Sequence, residues 1–169
     1  MKKRDGARVP PGVAAAGAGD APGGAREAAA AHTRDAVADW LRIVRFVNSE
    51  NGRLAERLRA HDLSLAQFDV IAQIGFTEGL TQRDLASRLL VTEGNVTQLL
   101  QKMEKKGLVT RRPDGQCNRL RLSAAGRRLY TRTVPAQNKE IARLFAVLTQ
   151  SDREVLSRLM RKVSRSAAH

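Results

Sequence analysis

The stretch TEGNVTQLLQKMEKKG, residues 92–107, constrains this chain more than any other. Val96, Leu99, Leu100 and Met103 recur at the three-and-four spacing that places side chains on one face of an α-helix, and Leu108 lies just beyond. Asn95, Thr97, Gln98, Gln101, Lys102 and Lys105 fall on the opposite face. Thr92 offers the hydroxyl with which an N-cap accepts a free backbone N–H, and Gly107 suits the left-handed residue that ends a helix. A helix of this length is a rod of about 24 Å. Its amides, hydroxyl and lysines can hydrogen-bond bases and phosphates, but the solvated side of any core helix has the same pattern. The neighbouring segments decide between the two.

Upstream, Thr81-Gln82-Arg83-Asp84 has the form of a helix start with an acidic residue at the third position, followed by Leu85, Ala86, Leu89 and Leu90 on one face. A break at Leu90-Val91-Thr92-Glu93 leads into the second helix. Two short helices joined by a tight turn, the second with a polar outer face, form a helix-turn-helix, whose second helix enters the DNA major groove. Downstream of Gly107 the periodicity changes from helical to alternating. Leu108–Arg112 and Arg119–Ser123 predict two strands separated by Pro113–Asn118, with Asp114-Gly115 as the turn signal. Arg112 and Arg119 beside the loop, with Arg111 and Arg121 further along, suit a wing that follows the DNA backbone towards the minor groove.

The flanks are helical. From about Ala25, and chiefly over Val37–Leu58, the residues Val37, Trp40, Leu41, Val44, Val47, Leu54 and Leu58 share one stripe, with a bend or polar contact expected at Asn51-Gly52. Leu63-Ser64-Leu65 opens a shorter helix that turns Leu65, Phe68, Ile71, Ala72 and Ile74 inward and Asp69 outward. A second long helix, Ala124–Leu148, should kink at Pro135, and Ser151 should cap a last one over Asp152–Val163, with Val155, Leu156, Leu159, Met160 and Val163 inward. A winged-helix core leaves little in one subunit to cover these long helices, so two-fold pairing is the economical arrangement. The expected fold is mainly α with a small two-stranded β wing: residues 1–25 a disordered tail, 26–60 an N-terminal dimerisation helix, 61–123 a winged helix-turn-helix lobe, 124–169 C-terminal dimerisation helices.

Composition agrees. The 169 residues allow one domain with a real core, and 42% hydrophobic residues with only 4% aromatics imply a core of Leu, Val, Ile and Ala. A net charge of +13 makes nucleic acid the leading partner. Lone Cys117 excludes an internal disulfide, and no apolar run approaches the length needed to cross a membrane. Cytoplasmic residence is expected. The N-terminal VPPGVAAAGAG is too poor in large apolar residues for a signal sequence.

The motifs LSLAQFDVIAQI, LTQRDLASRLLVTEGNVTQLLQKMEKKGLVTRRPDG and RLRLSAAG, in that order, resemble the MarR family (multiple antibiotic resistance regulators), over roughly residues 33–165. The resemblance implies a winged-helix homodimer that binds a palindromic operator. By position, Thr92, Gly94, Asn95, Thr97, Gln98 and Lys102 would face the major groove, Thr81, Gln82 and Arg83 would meet phosphates, and Arg111, Arg112 and Arg119 would serve the wing. Two departures stand out. Gln98 replaces the usual Arg, which favours adenine over guanine as a direct contact. The usual Asp-x-Arg of the wing is Asp114-Gly115-Gln116 here, so either Arg112 or Arg119 partners Asp114 or the minor-groove contact is weaker.

The same resemblance implies release of DNA by a small, often anionic aromatic effector, with Trp40 and Asp69 near the family's cleft, although a core Trp and a surface Asp explain them more simply. Cys117 is placed unlike the redox-sensing cysteines of the family and is taken as a bystander. His32, His61 and His169 are scattered, and neither a paired-acid site nor a Gly-rich phosphate loop is present, so no catalysis, metal or cofactor is expected. The expected function is a sequence-specific transcriptional regulator, a repressor released by a ligand. The alternatives are a sequence-indifferent architectural DNA-binding protein and, from another class, an enzyme or a protein-binding adaptor.

Overall fold

The structure is a computed structural model that describes residues 23–115 and 117–166. The expected tail lies outside the described residues as far as residue 22. The order of elements is α1 (Gly23–Arg59), α2 (Leu65–Phe76), α3 (Gln82–Leu89), α4 (Glu93–Lys105), β1 (Val109–Asp114), β2 (Cys117–Leu122), α5 (Ala124–Phe145) and α6 (Gln150–Ser166). Residues up to Val47 group as one compact unit and those from Asn48 as another. In the first unit α1 carries exposed Val37, Trp40, Leu41, Phe46 and Val47. The helix is continuous through Asn51 and Gly52.

The second unit holds the core. Leu54 and Leu58 from the end of α1, Phe68, Val70, Ile71 and Ile74 from α2, Leu85 and Ala86 from α3, and Val96, Leu100 and Met103 from α4 are buried together with Leu108, Val109, Leu120 and Leu122. Ser64 caps α2 through a reciprocal box with Gln67, whose side chain is thereby buried and satisfied. Thr81 and Asp84 form the same device on α3. Thr92 caps α4 by accepting from the Asn95 N–H at 3.3 Å. Gly107 adopts the left-handed conformation (φ +66°) that lets the chain leave α4 and enter β1. At Gly75 a Cβ would overlap the Tyr130 ring, so glycine is what allows α2 and α5 to approach there.

Several expectations are corrected. Leu90 does not join the buried face of α3: it ends the helix at φ +54° and is 91% exposed, because a left-handed cap turns its side chain out of the stripe. The strands reach Asp114 and Cys117, which pair directly, so Asp114 belongs to β1 rather than to the turn, and Gly115 supplies the positive φ. Pro113 lies inside β1, tolerated because a two-stranded ribbon leaves each strand an open edge. Ser123 caps α5, which continues through Pro135 and stops at Phe145. Thr149, not Ser151, caps α6: its hydroxyl donates to Asp152 Oδ2 at 2.7 Å and accepts from the Asp152 N–H at 3.2 Å. The stripe of α6 is not inward within the chain, since Val155, Leu156, Leu159, Met160 and Val163 are all exposed.

The wing is braced from the α2–α3 connection. Gly79 N–H donates to Leu120 O at 3.1 Å and Leu120 N–H to Leu80 O at 2.8 Å, so residues 79–80 lie beside β2. Glu78 adds ion pairs to Arg121 of β2 and Arg127 of α5.

Candidate nucleic-acid interface

Helix α4 is held from behind. With Val96, Leu100 and Met103 fully buried, its rotation is set by the core, and Asn95, Gln98, Gln101, Lys102 and Lys105 are left exposed to solvent. Gly94, in the first turn, has open space where a Cβ would be, apart from the Thr92 hydroxyl at 4.0 Å. Thr97 differs from its neighbours. It is half-buried, its hydroxyl donates to Glu93 O at 2.8 Å, and it accepts from Gln82 Nε2 at 2.6 Å.

The start of α3 meets the start of α4. Thr81 donates its hydroxyl and its backbone N–H to Asp84 Oδ2, and those hydrogen bonds hold the Asp84 carboxyl below its ordinary pKa. Gln82 reaches across to α4, whereas Arg83 extends into solvent and meets the Glu93 carboxylate at 3.4 Å. A cavity of about 420 Å³ opens here, lined in part by Gln82, Arg83, Glu93, Arg111 and Cys117.

The three wing arginines have different surroundings. Arg119 Nε donates to Asp114 Oδ2 at 2.8 Å and its Nη1 to Gly79 O at 3.2 Å, so Arg119 supplies the partner that Asp114 lacks within the turn. The Asp114 carboxylate in turn holds the guanidinium above its ordinary pKa. Arg111 turns towards α4: its Nε lies 3.0 Å from Glu104 Oε1, and Nε and Nη2 are buried without a hydrogen bond of good geometry. Arg112 is exposed and has no ion-pair partner among the described residues. Cys117 is exposed opposite Asp114.

Asp69 lines a second cavity, of about 310 Å³, with Leu89, Asn95, Gln98, Leu99 and Lys102. Solvent reaches Asp69, yet the protein atoms around its carboxyl remove enough hydration to push its pKa up. Trp40 belongs to the other unit and is 60% exposed, not the core tryptophan that the simpler reading expected. Among the described residues no group of three or more His, Cys, Asp or Glu could hold a metal ion, and no helix is long and apolar enough to cross a membrane.

The sequence reading did not find Glu78 or the engagement of Gln82 with Thr97. Their partners are 43 and 15 residues away or more, and no periodicity reports a contact between separate elements.

Residues 61–116 match the model of the MarR family. An uncharacterised HTH-type transcriptional regulator of Bacillus cereus is 36% identical over 125 residues, covering 73% of this chain and 85% of the relative. The chain belongs to the MarR family. It is a winged-helix transcriptional regulator and not an enzyme. The regulator HosA of Escherichia coli is 27% identical over 105 residues, covering 60% of this chain and 78% of that one. Among solved structures, the S. aureus MepR-DNA complex superposes with a TM-score of 0.68 at 23% identity, covering 74% of this chain and 94% of MepR. A putative MarR-family regulator from Listeria monocytogenes, complexed with a 26mer DNA, gives the same TM-score at 17% identity, covering 76% and 88%. Both likenesses are of fold.

Proposed function

We propose that this regulator binds a palindromic double-stranded operator as a homodimer and represses transcription until a small ligand releases it. The observation that carries the reading is the shared exposure of Asn95, Gln98 and Lys102 on α4 and of Arg112 on the wing, backed by a core that fixes α4. That pairing supplies base-edge contacts and phosphate contacts from one lobe. Two solved relatives in complex with DNA support it. Thr92, Gly94 and Thr97 complete the recognition face, Thr81 and Arg83 face phosphates at the start of α3, and Arg111 and Arg119 support the wing through Glu104 and Asp114.

The homodimer is supported by the uncovered apolar stripes of α1 and α6, which in water favour a protein partner. The two recognition helices would then enter successive major grooves about 34 Å apart, and a ligand that alters that spacing would break simultaneous contact. Asp69 marks the ligand region in this reading, and the protein acts in the cytoplasm.

Fluorescence anisotropy against the DNA upstream of its own gene and a scrambled copy, across several salt concentrations, tests the proposal. A preference of roughly a thousandfold for the native sequence is expected. Equal, steeply salt-dependent binding to both would overturn it in favour of an architectural role, which the +13 charge would also serve.

A further inference from the structure

We infer that Gln82 is a positioning residue for base readout rather than a phosphate contact, and that it acts by locking the first turn of α4 through Thr97. The inference rests on the DNA-binding reading above and deepens it.

The side-chain amide of Gln82 has two donors, and both the neighbours it reaches belong to α4: Thr97 Oγ1 at 2.6 Å and Glu93 O at 3.3 Å. Thr97 completes the triangle by donating its one hydroxyl proton to Glu93 O at 2.8 Å. A carbonyl in the first turn of a helix, the Thr97 hydroxyl one turn on, and an amide from another helix are thus tied together. The core positions Val96, Leu100 and Met103 fix the buried side of α4 but leave its first turn, Glu93–Asn95, exposed. That turn is held by the Thr92 cap at 3.3 Å and by the Gln82 bridge. Arg83 and Glu93 meet next to it, but at 3.4 Å and with both side chains well exposed, a pair of little holding power.

Two consequences follow for readout. The Thr97 hydroxyl has no proton left for a base acceptor, so towards DNA it can only accept a hydrogen bond or offer its methyl group. Direct discrimination by side-chain donors on this face therefore falls to Thr92, Asn95, Gln98 and Lys102, and the aim of Asn95 and Gln98 depends on how rigidly the Gln82 bridge holds the turn between them. A misplacement of about an ångström is enough to misalign a bidentate amide on adenine. The phosphate role would require the Gln82 amide to leave both partners.

The test compares Gln82→Ala, Thr97→Val and the double variant with the parent, using the full-length protein. Base preference is read by selection from a randomised half-site, and affinity is read on selected and scrambled duplexes. Melting temperatures establish that each variant is folded, and Gln82→Met, which keeps the length and removes the donors without adding charge, stands in should Gln82→Ala not fold. The expected result is that each single variant reduces the selected-over-scrambled ratio about tenfold, at the same base pairs. The double variant should be no worse than either, and Gln82→Ala should leave affinity for scrambled DNA unchanged. Equal loss on both duplexes for Gln82→Ala would establish the phosphate contact and overturn the inference. So would losses that add, or unaltered base preferences. Failure of the parent to prefer any sequence would instead defeat the DNA-binding reading itself, a result visible before any variant is compared.

Discussion

Helices α4 and α6 are similar as sequences and opposite as structures. Both carry apolar residues at three-and-four spacing and basic residues on the other side, yet α4 buries Val96, Leu100 and Met103 completely, while α6 buries nothing. An amphipathic pattern states that a face needs cover, not what will cover it. For α4 the cover is local, from α2, α3 and the wing. For α6 the described residues leave the stripe open, and in the proposed dimer a second copy supplies what the chain itself does not.

The largest expected effect separates these two kinds of cover. Leu100→Ala removes a fully buried side chain, and a loss of about 2–5 kcal/mol in unfolding free energy, independent of protein concentration, is expected by thermal or urea denaturation. Leu159→Ala should lower the melting temperature in a manner that depends on protein concentration, because it acts on association. Should Leu159→Ala be silent from nanomolar to high micromolar protein, α6 has no partner and the dimer reading fails.

Next come the polar faces, which charge alone does not distinguish. Lys102 and Arg112 lie on the recognition helix and the wing, Arg161 on α6. Arg112→Ala and Lys102→Ala should weaken DNA binding on all sequences and reduce the salt slope by about one each, whereas Arg161→Ala should leave both unchanged. Gln98→Ala should cost roughly 1–3 kcal/mol of discrimination at particular base pairs. An equal effect of Arg161→Ala would show that binding follows net charge and not the α4 surface.

The approach to each helix differs as well. Leu90, just before α4, holds a left-handed conformation with its side chain in solvent, so Leu90→Gly relieves strain without losing packing. A stabilisation of about 1 kcal/mol is expected from denaturation midpoints. A destabilised Leu90→Gly would mean that the side chain is covered in the assembled protein.

The smallest effect is a pH dependence confined to one helix. Hydrogen bonds from Thr149, side chain first and then backbone, hold the Asp152 carboxyl below its ordinary pKa, whereas α4 is capped by the Thr92 hydroxyl without a carboxylate. A lowered folded pKa means that the Asp152 cap stabilises fully above the unfolded carboxylate value and is lost as pH falls through the folded one. On acidification, the first turn of α6 should lose amide-exchange protection, measured relative to the intrinsic rate at each pH, before that of α4. Simultaneous loss of protection would show that the two ends are not independent.

These contrasts also mark what could be read without coordinates. The caps at Ser64, Thr81 and Thr92 and the exit at Gly107 are local, settled within four residues of backbone, and the periodicity of α2–α4 names most of the core. Local rules were ambiguous where two devices compete. Thr149 and Ser151 each offer a hydroxyl with an acid three positions on, Asp152 and Glu154, so spacing does not choose between them; Thr149 closes the box with Asp152, while Glu154 accepts from Gln150 Nε2. Leu90 continued the apolar stripe by spacing but sat where the chain had to reverse.

The order of helices, the helix-turn-helix, the hairpin and the positive surface were determined by the sequence, because each depends on spacing between residues close along the chain. Tertiary structure alone decided that Arg119 and not Arg112 partners Asp114, that Arg111 turns to Glu104, that Glu78 braces the wing, and that Gln82 joins Thr97. The physical reason is that an ion pair or a side-chain hydrogen bond extends over only a few ångströms, and which groups come within that range is set by how elements distant in sequence pack, not by the identity of either group.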